Sequence, residues 1–325
     1  GSTRSRRARH RIALAIGKDA GSGDMRNGVW MLLVGALTLG PAGPVQACIN
    51  AIGTDHQGRH FDMHDEVGEQ LEARLTSDAV RKQYLRRART IINEAKTTPD
   101  LEHLTELAIL LMYQGRHARA VQLLLALERR WPGHHETAAN LGTALELSGH
   151  DAPALAWIRL GIRRNPDEHF GTEWLHARIL ESKLASVKDP AHLARQSIAG
   201  LRFGDATVPT LPSTLPAGND GRPVGAYDLN YAFAYQLGER MQFVAPKDPV
   251  VANLLSDWAA LNMAGGPMEN VVVLYAQARR YGAASTGTMA RREAEARRVL
   301  QAAHGRTRLD GQCAICEPPR AENTP

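Results

Sequence analysis

The chain matches itself at an offset of 34 residues, and an internal period of that length leaves few architectures open. Sliding residues 101–134 over 135–168 superposes Glu102 on Glu136, Leu107 on Leu141, Leu111 on Leu145, Gly115 on Gly149, Ala120 on Ala154, Arg129 and Arg130 on Arg163 and Arg164, and Pro132 on Pro166. Within the first copy the apolar residues recur at helical spacing: Leu104, Leu107, Ala108 and Leu111 precede Gly115, and Ala120, Leu124 and Leu127 follow it before Pro132. The second copy reads Ala138, Leu141, Gly142 and Leu145, then Gly149, then Ala154, Ile158 and Gly161 before Pro166. Each copy is expected to be a helix, a turn at the shared glycine and a second helix. Small residues at Gly142, Ala154 and Gly161 mark where the helices approach closely. One such hairpin cannot bury its apolar stripe alone, so more helices must flank the pair.

The length, turn glycine, packing alanine and terminal proline make residues 101–168 resemble the tetratricopeptide repeat. That resemblance implies an all-α fold, an α-solenoid of helix-turn-helix repeats. Flanking segments supply further helices. Residues 79–96 carry Val80, Tyr84, Leu85, Ala88, Ile91, Ile92 and Ala95 on one helical face, as the second helix of a preceding unit would. Residues 170–187 continue the pattern with Trp174, Leu175, Ile179 and Leu184 as a packing or capping helix, and residues 252–282 read as a degenerate repeat around Gly266. The expected organisation is a helical block over 78–199, a Pro/Gly-rich stretch over 200–249 and a second helical block over 250–308. A short irregular or hairpin segment over 48–77 precedes them, and a tail over 309–325 follows. The stretch 200–249 reads as a loop crossing between helical blocks, interrupted by a helix over 228–242 with Leu229, Phe233, Leu237 and Met241 on one face.

At the amino end, Met25-Arg26-Asn27 precedes an apolar run over 28–39, and Val45-Gln46-Ala47 has the small residues of a cleavage site. Residues 25–47 thus read as a secretory signal peptide, too short in its apolar core to span a bilayer comfortably, and the alternative is an uncleaved membrane anchor. Residues 1–24, upstream of a start-like Met25, are expected to form no ordered domain. Cys48 directly follows the expected cut and resembles the acylated cysteine of bacterial lipoproteins, although Gln46 departs from that pattern. Lipidation of Cys48 and ordinary cleavage both remain open, and both place the protein in the periplasm or cell envelope.

Removal of residues 1–47 takes away seven Lys or Arg against two Asp, so the formal charge of +5 becomes zero. No global field then favours nucleic acid, and the arginine runs near 86–89 and 290–298 read as solvated helix faces. An exported chain meets an oxidising compartment, where Cys313-Ala314-Ile315-Cys316 could close a disulfide, ligate a metal, exchange disulfides or stand as an unpaired tail. The absence of a flanking strand and helix, and of a second such pair, favours the disulfide. His56, His60 and His64 fall four residues apart, but residues 53–61 read as a turn between two extended pieces, where that spacing builds no metal face. No catalytic triad, glycine-rich phosphate loop or His-Glu-x-x-His occurs. The expectation is a binding protein with no cofactor, metal or catalytic residue of its own.

The family's repeats expose a concave groove lined by the first helix of each pair, which holds a peptide or helix of another protein. By that resemblance the groove here includes Thr105, Glu106, Ile109, Tyr113, Ala139, Asn140, Thr143 and Leu147. Of the clamp with which chaperone-binding members grip a terminal carboxylate only Asn140 is present, with Thr105 and Ile109 where Lys and Asn are needed, which argues against that ligand. The chain is also similar to a group of exported bacterial tetratricopeptide proteins through Ala47-Cys48-Ile49-Asn50, the run His169-Phe170-Gly171-Thr172-Glu173-Trp174-Leu175-His176, and Tyr235-Gln236-Leu237. That similarity implies architecture and compartment but no activity. The competing expectation is an envelope redox or metal protein built around Cys313 and Cys316.

Overall fold

The computed structural model describes residues 51–317; the signal segment, Cys48 and the end of the tail lie outside the described residues. The described chain begins with an antiparallel strand pair, β1 (Ala51–Thr54) and β2 (His60–Met63), in the register Ala51 to Met63 and Thr54 to His60. Asp55 shapes the turn, because its Oδ1 accepts from the backbone N–H of Gln57 at 2.9 Å and of Arg59 at 3.0 Å. The carboxyl-terminal tail returns to this ribbon, where Gly311 N–H donates to His60 O at 2.8 Å.

Helix α1 (Glu69–Thr76) lies inside the segment expected to be irregular, and it forms because Leu71 and Leu75 share one face and are both buried. The single helix expected over 79–96 is two, α2 (Ala79–Arg86) and α3 (Ala88–Thr97), parted at Arg87. Both pieces pack against the helix that follows, and they differ in how deeply they are buried. Ile91 and Ala95 of α3 are buried, while α2 buries no residue, and it lays Tyr84 against Tyr113 at 5.0 Å between ring centroids.

The repeated region forms two successive helical hairpins: α4 (Leu101–Tyr113) with α5 (His117–Arg130), and α6 (His135–Leu147) with α7 (Asp151–Arg164). Asp100 caps α4 by accepting from His103 N–H. Both turns close alike. Gly115 has φ 71° and Gly149 has φ 80°. The following residues, Arg116 and His150, donate to Leu111 O at 2.8 Å and Leu145 O at 2.9 Å, the paired bonding that a left-handed glycine permits at a helix end. Gly142 serves a different purpose: a Cβ there would lie 2.4 Å from Ile158 Cδ1, so its absence sets the distance between α6 and α7. Leu124, Leu127, Leu141, Ala144, Ala154 and Ile158 fill the core between the hairpins.

Helix α8 (Glu173–Lys188) joins this core to a second one. Ala177 and Leu180 pack toward the hairpins, whereas Trp174, Leu175 and Ile179 pack with α10 (Ala226–Arg240), α11 (Pro249–Gly265), α12 (Met268–Arg280) and α13 (Gly287–Ala303). Between α8 and α10, after the single turn α9 (His192–Arg195), the Pro/Gly-rich connection is tied down by side chains bonding its backbone. Asn253 Nδ2 donates to Leu193 O and Gln196 O, each at 2.8 Å, and Arg292 donates to Gly204 O at 2.7 Å. Asn219 accepts from Trp174 N–H at 2.6 Å and donates to Pro166 O at 2.9 Å, pinning the connection to the start of α8. Among the described residues no helix is long and apolar enough to cross a membrane.

The two kinds of glycine separate in a thermal unfolding series. Gly142→Ala is expected to cost about 1–3 kcal/mol through overpacking against the buried Ile158. Gly149→Ala meets no atom within 4 Å and is expected to cost only its left-handed backbone, about 1–2 kcal/mol. A Gly142→Ala protein as stable as the unchanged one would contradict this account of α6 against α7.

Candidate functional site

The end of α10 and the residues after it lie across the first helices of the two hairpins, and the space left between them is a cavity of about 640 Å³, open to solvent on one side. Thr105, Ile109 and Tyr113 of α4 and Asn140, Thr143 and Leu147 of α6 line it. Two residues chosen from the sequence do not. Ala139 is 1% exposed and packs where α6 meets Gly161 of α7. Glu106 turns away to pair with Arg87 Nη1 at 3.0 Å. The opposite wall is Tyr235, Gln236, Glu239, Arg240, Phe243 and Val244, from a segment that the sequence presents only as a docking helix.

The floor is the connection between α7 and α8. His169 and Phe170 both adopt left-handed backbone, with φ 46° and 58°. Non-glycine residues pay for that conformation, and it persists only where the surroundings hold it. Here they do. His169 lies over Tyr235 at 5.5 Å, and Phe170 meets Tyr231 and Tyr235 edge-on at 6.0 and 5.7 Å. Tyr227, Tyr231 and Tyr235 recur every fourth residue of α10 and present the stack that receives them.

From this floor an alternating chain of imidazoles and carboxylates runs inward. His135 Nδ1 bonds Glu168, and His169 Nδ1 bonds Glu173. Glu173 Oε2 lies 3.2 Å from His176 Nδ1 without forming an aligned hydrogen bond. His176 Nε2 donates to Glu146 at 2.8 Å. Glu146 also accepts from Lys183 Nζ at 3.0 Å and from the two terminal nitrogens of Arg240 at 2.9 and 3.0 Å. Lys183 reaches on to Asp151 at 2.5 Å. Glu146, on α6, thus holds side chains of both α8 and α10.

Burial alone would favour the neutral form of each member, and the neighbours overrule it. Burial opposes charge on His176, but the charge of Glu173 and the bond to Glu146 raise its pKa to about 9. Burial likewise opposes charge on Glu173, but His176 and His169 hold its pKa at about 2. Glu146 is held well below the usual carboxylate range against its burial, chiefly by the charge of Arg240 and by His176. Each of these imidazoles is committed to a carboxylate, and among the described residues no group of three or more His, Cys, Asp or Glu side chains could hold a metal ion.

The upper wall is aromatic. Tyr113 stacks on Phe243 at 4.9 Å and meets Tyr84 at 5.0 Å, joining α4, α2 and the end of α10. Burial raises the Tyr113 phenol, with the charge of Glu239 adding to the effect. Glu239 itself is exposed, but to the cavity. The protein around it raises its carboxyl pKa by desolvation, which outweighs the opposing charge of His169. Its carboxylate makes no hydrogen bond or ion pair among the described residues.

The other residues singled out in the sequence lie elsewhere. Cys313 and Cys316 are joined in a disulfide whose loop buries Ile315 and packs on Phe61, Met63 and Val67 beside the strand pair. Neither cysteine lines the cavity, and neither do His56, His60 or His64. His60 Nδ1 instead bonds Thr54 Oγ1 at 3.0 Å within the ribbon.

The raised pKa of His176 fixes the sign of a pH effect. Its stabilising contribution is complete below the unfolded-state value of about 6.5 and is lost as pH rises through about 9. Urea unfolding is expected to show stability falling from pH 6.5 to 9, with a shallower fall in His176→Gln. Asp257, raised to about 7 by burial against its bond from Ser197, adds a fall at lower pH that the substitution leaves in place. Identical slopes in both proteins would show that His176 is not charged in the folded state.

No protein-family model matches the chain, and comparison with curated proteins gives no match.

Proposed function

We propose that this protein is an exported tetratricopeptide-type α-solenoid whose concave face, carried by α4 and α6, binds a segment of another protein. The observation that carries the reading is the cavity. It takes ten of its lining residues from equivalent helices of the two 34-residue copies and stays open to solvent although α10 crosses the same face. A volume of about 640 Å³ lies within the roughly 300–1,000 Å³ that holds a drug-sized ligand. That is room for two or three residues of an extended chain rather than for a whole helix. The occupant is therefore a short stretch inserted from a larger partner, with backbone and side-chain contacts to Asn140 and Thr143. Export is supported by the small-residue cleavage pattern at Val45-Gln46-Ala47 and by the closed Cys313–Cys316 pair, which suits an oxidising compartment. The packing of that closed pair on Phe61 and Met63 favours a structural role over thiol chemistry.

Crosslinking in the intact cell envelope, followed by mass spectrometry, tests the reading. An Ile109→Ala, Asn140→Ala double variant removes two half-buried lining side chains without touching the stacked Tyr113. It is expected to lose at least nine-tenths of the captured partner while keeping its helical circular-dichroism spectrum. Undiminished capture by the folded variant would place the binding surface elsewhere.

A further inference from the structure

We propose that the cavity selects a positively charged side chain, the guanidinium or ammonium group of a basic residue on the inserted segment. This rests on the reading that the cavity binds a partner's chain. Six carboxylates line the cavity, from Glu136, Glu146, Asp167, Glu168, Glu173 and Glu239. Opposing them are one lining guanidinium, Arg240, which is already forked onto Glu146, and the imidazoles of His135, His169 and His176. The surplus of charge is negative, and it sits in a half-open space, where water screens charge less than at a free surface.

One carboxylate points to what would balance it. Glu173, 1% exposed, is already held between His169 and His176, whereas Glu239 is not held in this way. Glu239 lines the cavity from α10 with no hydrogen-bond or ion-pair partner among the described residues, beside the aromatic wall of Tyr84, Tyr113 and Phe243. A carboxylate facing ring systems across a half-open space is an arrangement that holds a cation, which pairs with the charge and lies against the ring faces. An anionic segment would meet the surplus of like charge, and a neutral apolar one would leave the Glu239 carboxylate without a partner. The charge of an entering cation would lower the Glu239 carboxyl pKa against the desolvation that raises it, so binding should release a proton wherever the empty site is partly protonated.

Calorimetric titration with acetyl-Gly-Arg-Gly-amide, its citrulline counterpart of equal shape and no charge, and spermidine tests the proposal, with the unchanged protein and Glu239→Gln compared. The arginine peptide is expected to bind at least about tenfold more tightly than the citrulline peptide. Glu239→Gln is expected to remove most of that difference without lowering the unfolding temperature, since it deletes an unpaired desolvated charge. Equal binding of the two peptides, no binding of either up to millimolar concentration, or an unchanged ratio in Glu239→Gln would overturn the selection for positive charge. Spermidine binding as tightly as the peptide would overturn a protein segment as the source of the cation. Partner capture that depends on Ile109 and Asn140, together with no preference for arginine, would sink this inference alone. Capture that is independent of those residues would sink the binding reading beneath it.

Discussion

The carboxylate of Glu146 is the point on which the site depends. It lies on α6, in the second hairpin, and accepts from His176 and Lys183 of α8 and from Arg240 at the end of α10. Three elements from distant parts of the chain thus converge on one buried group. Buried ion pairs recover little net stability over a well-packed apolar contact, because each charge must be taken from water. What such a cluster supplies is position: only one placement of α10 brings the Arg240 fork onto Glu146 while Leu229, Phe233 and Leu237 stay in the second core.

From that placement the cavity follows. Helix α10 is held across the face of α4 and α6 at its carboxyl end by Arg240 and one turn earlier by Gln236, which donates to Thr172 Oγ1 at 3.1 Å. Its tyrosines receive Phe170 and His169, which keeps the left-handed backbone of those residues in place. The same helix both closes one side of the groove and contributes Glu239 to its interior. The face that an isolated pair of hairpins would leave open as a long channel becomes a bounded pocket with an acidic floor and an aromatic wall.

The hairpins were legible in the sequence because their determinants are local. Gly115 and Gly149 end helices by a backbone conformation that nearby residues disfavour, and the apolar spacing on either side needs no knowledge of the rest of the chain. Helix α10 was legible for the same reason, from Leu229, Phe233 and Leu237. The pocket's charged interior was not. Glu146 follows Leu145 with no local mark that sets it apart, and it is buried only because α8 and α10 cover it. The Glu173-Trp174-Leu175-His176 spacing was the available signal, since an i, i+3 pair of ionisable residues inside an apolar helix needs partners from elsewhere. Ala139 shows the opposite limit: one residue along a helix is a turn of about 100°, enough to move a side chain from the groove beside Asn140 to the packed contact with α7. The break at Arg87 escaped because one continuous apolar face reads as one helix, whereas here only its second half is buried.

Hydrogen–deuterium exchange across α10 tests most directly whether this helix is a fixed wall rather than a displaceable occupant of the groove. The account expects its amides to exchange as slowly as those of α6 in the unchanged protein. In Glu146→Gln they should exchange at least about a hundredfold faster, while α4 and α5 keep their protection, because removing one partner of a buried ion pair costs about 3–5 kcal/mol. Fast exchange of α10 with Glu146 intact, or exchange indifferent to the substitution, would contradict the claim that Glu146 fixes the helix and thereby forms the site.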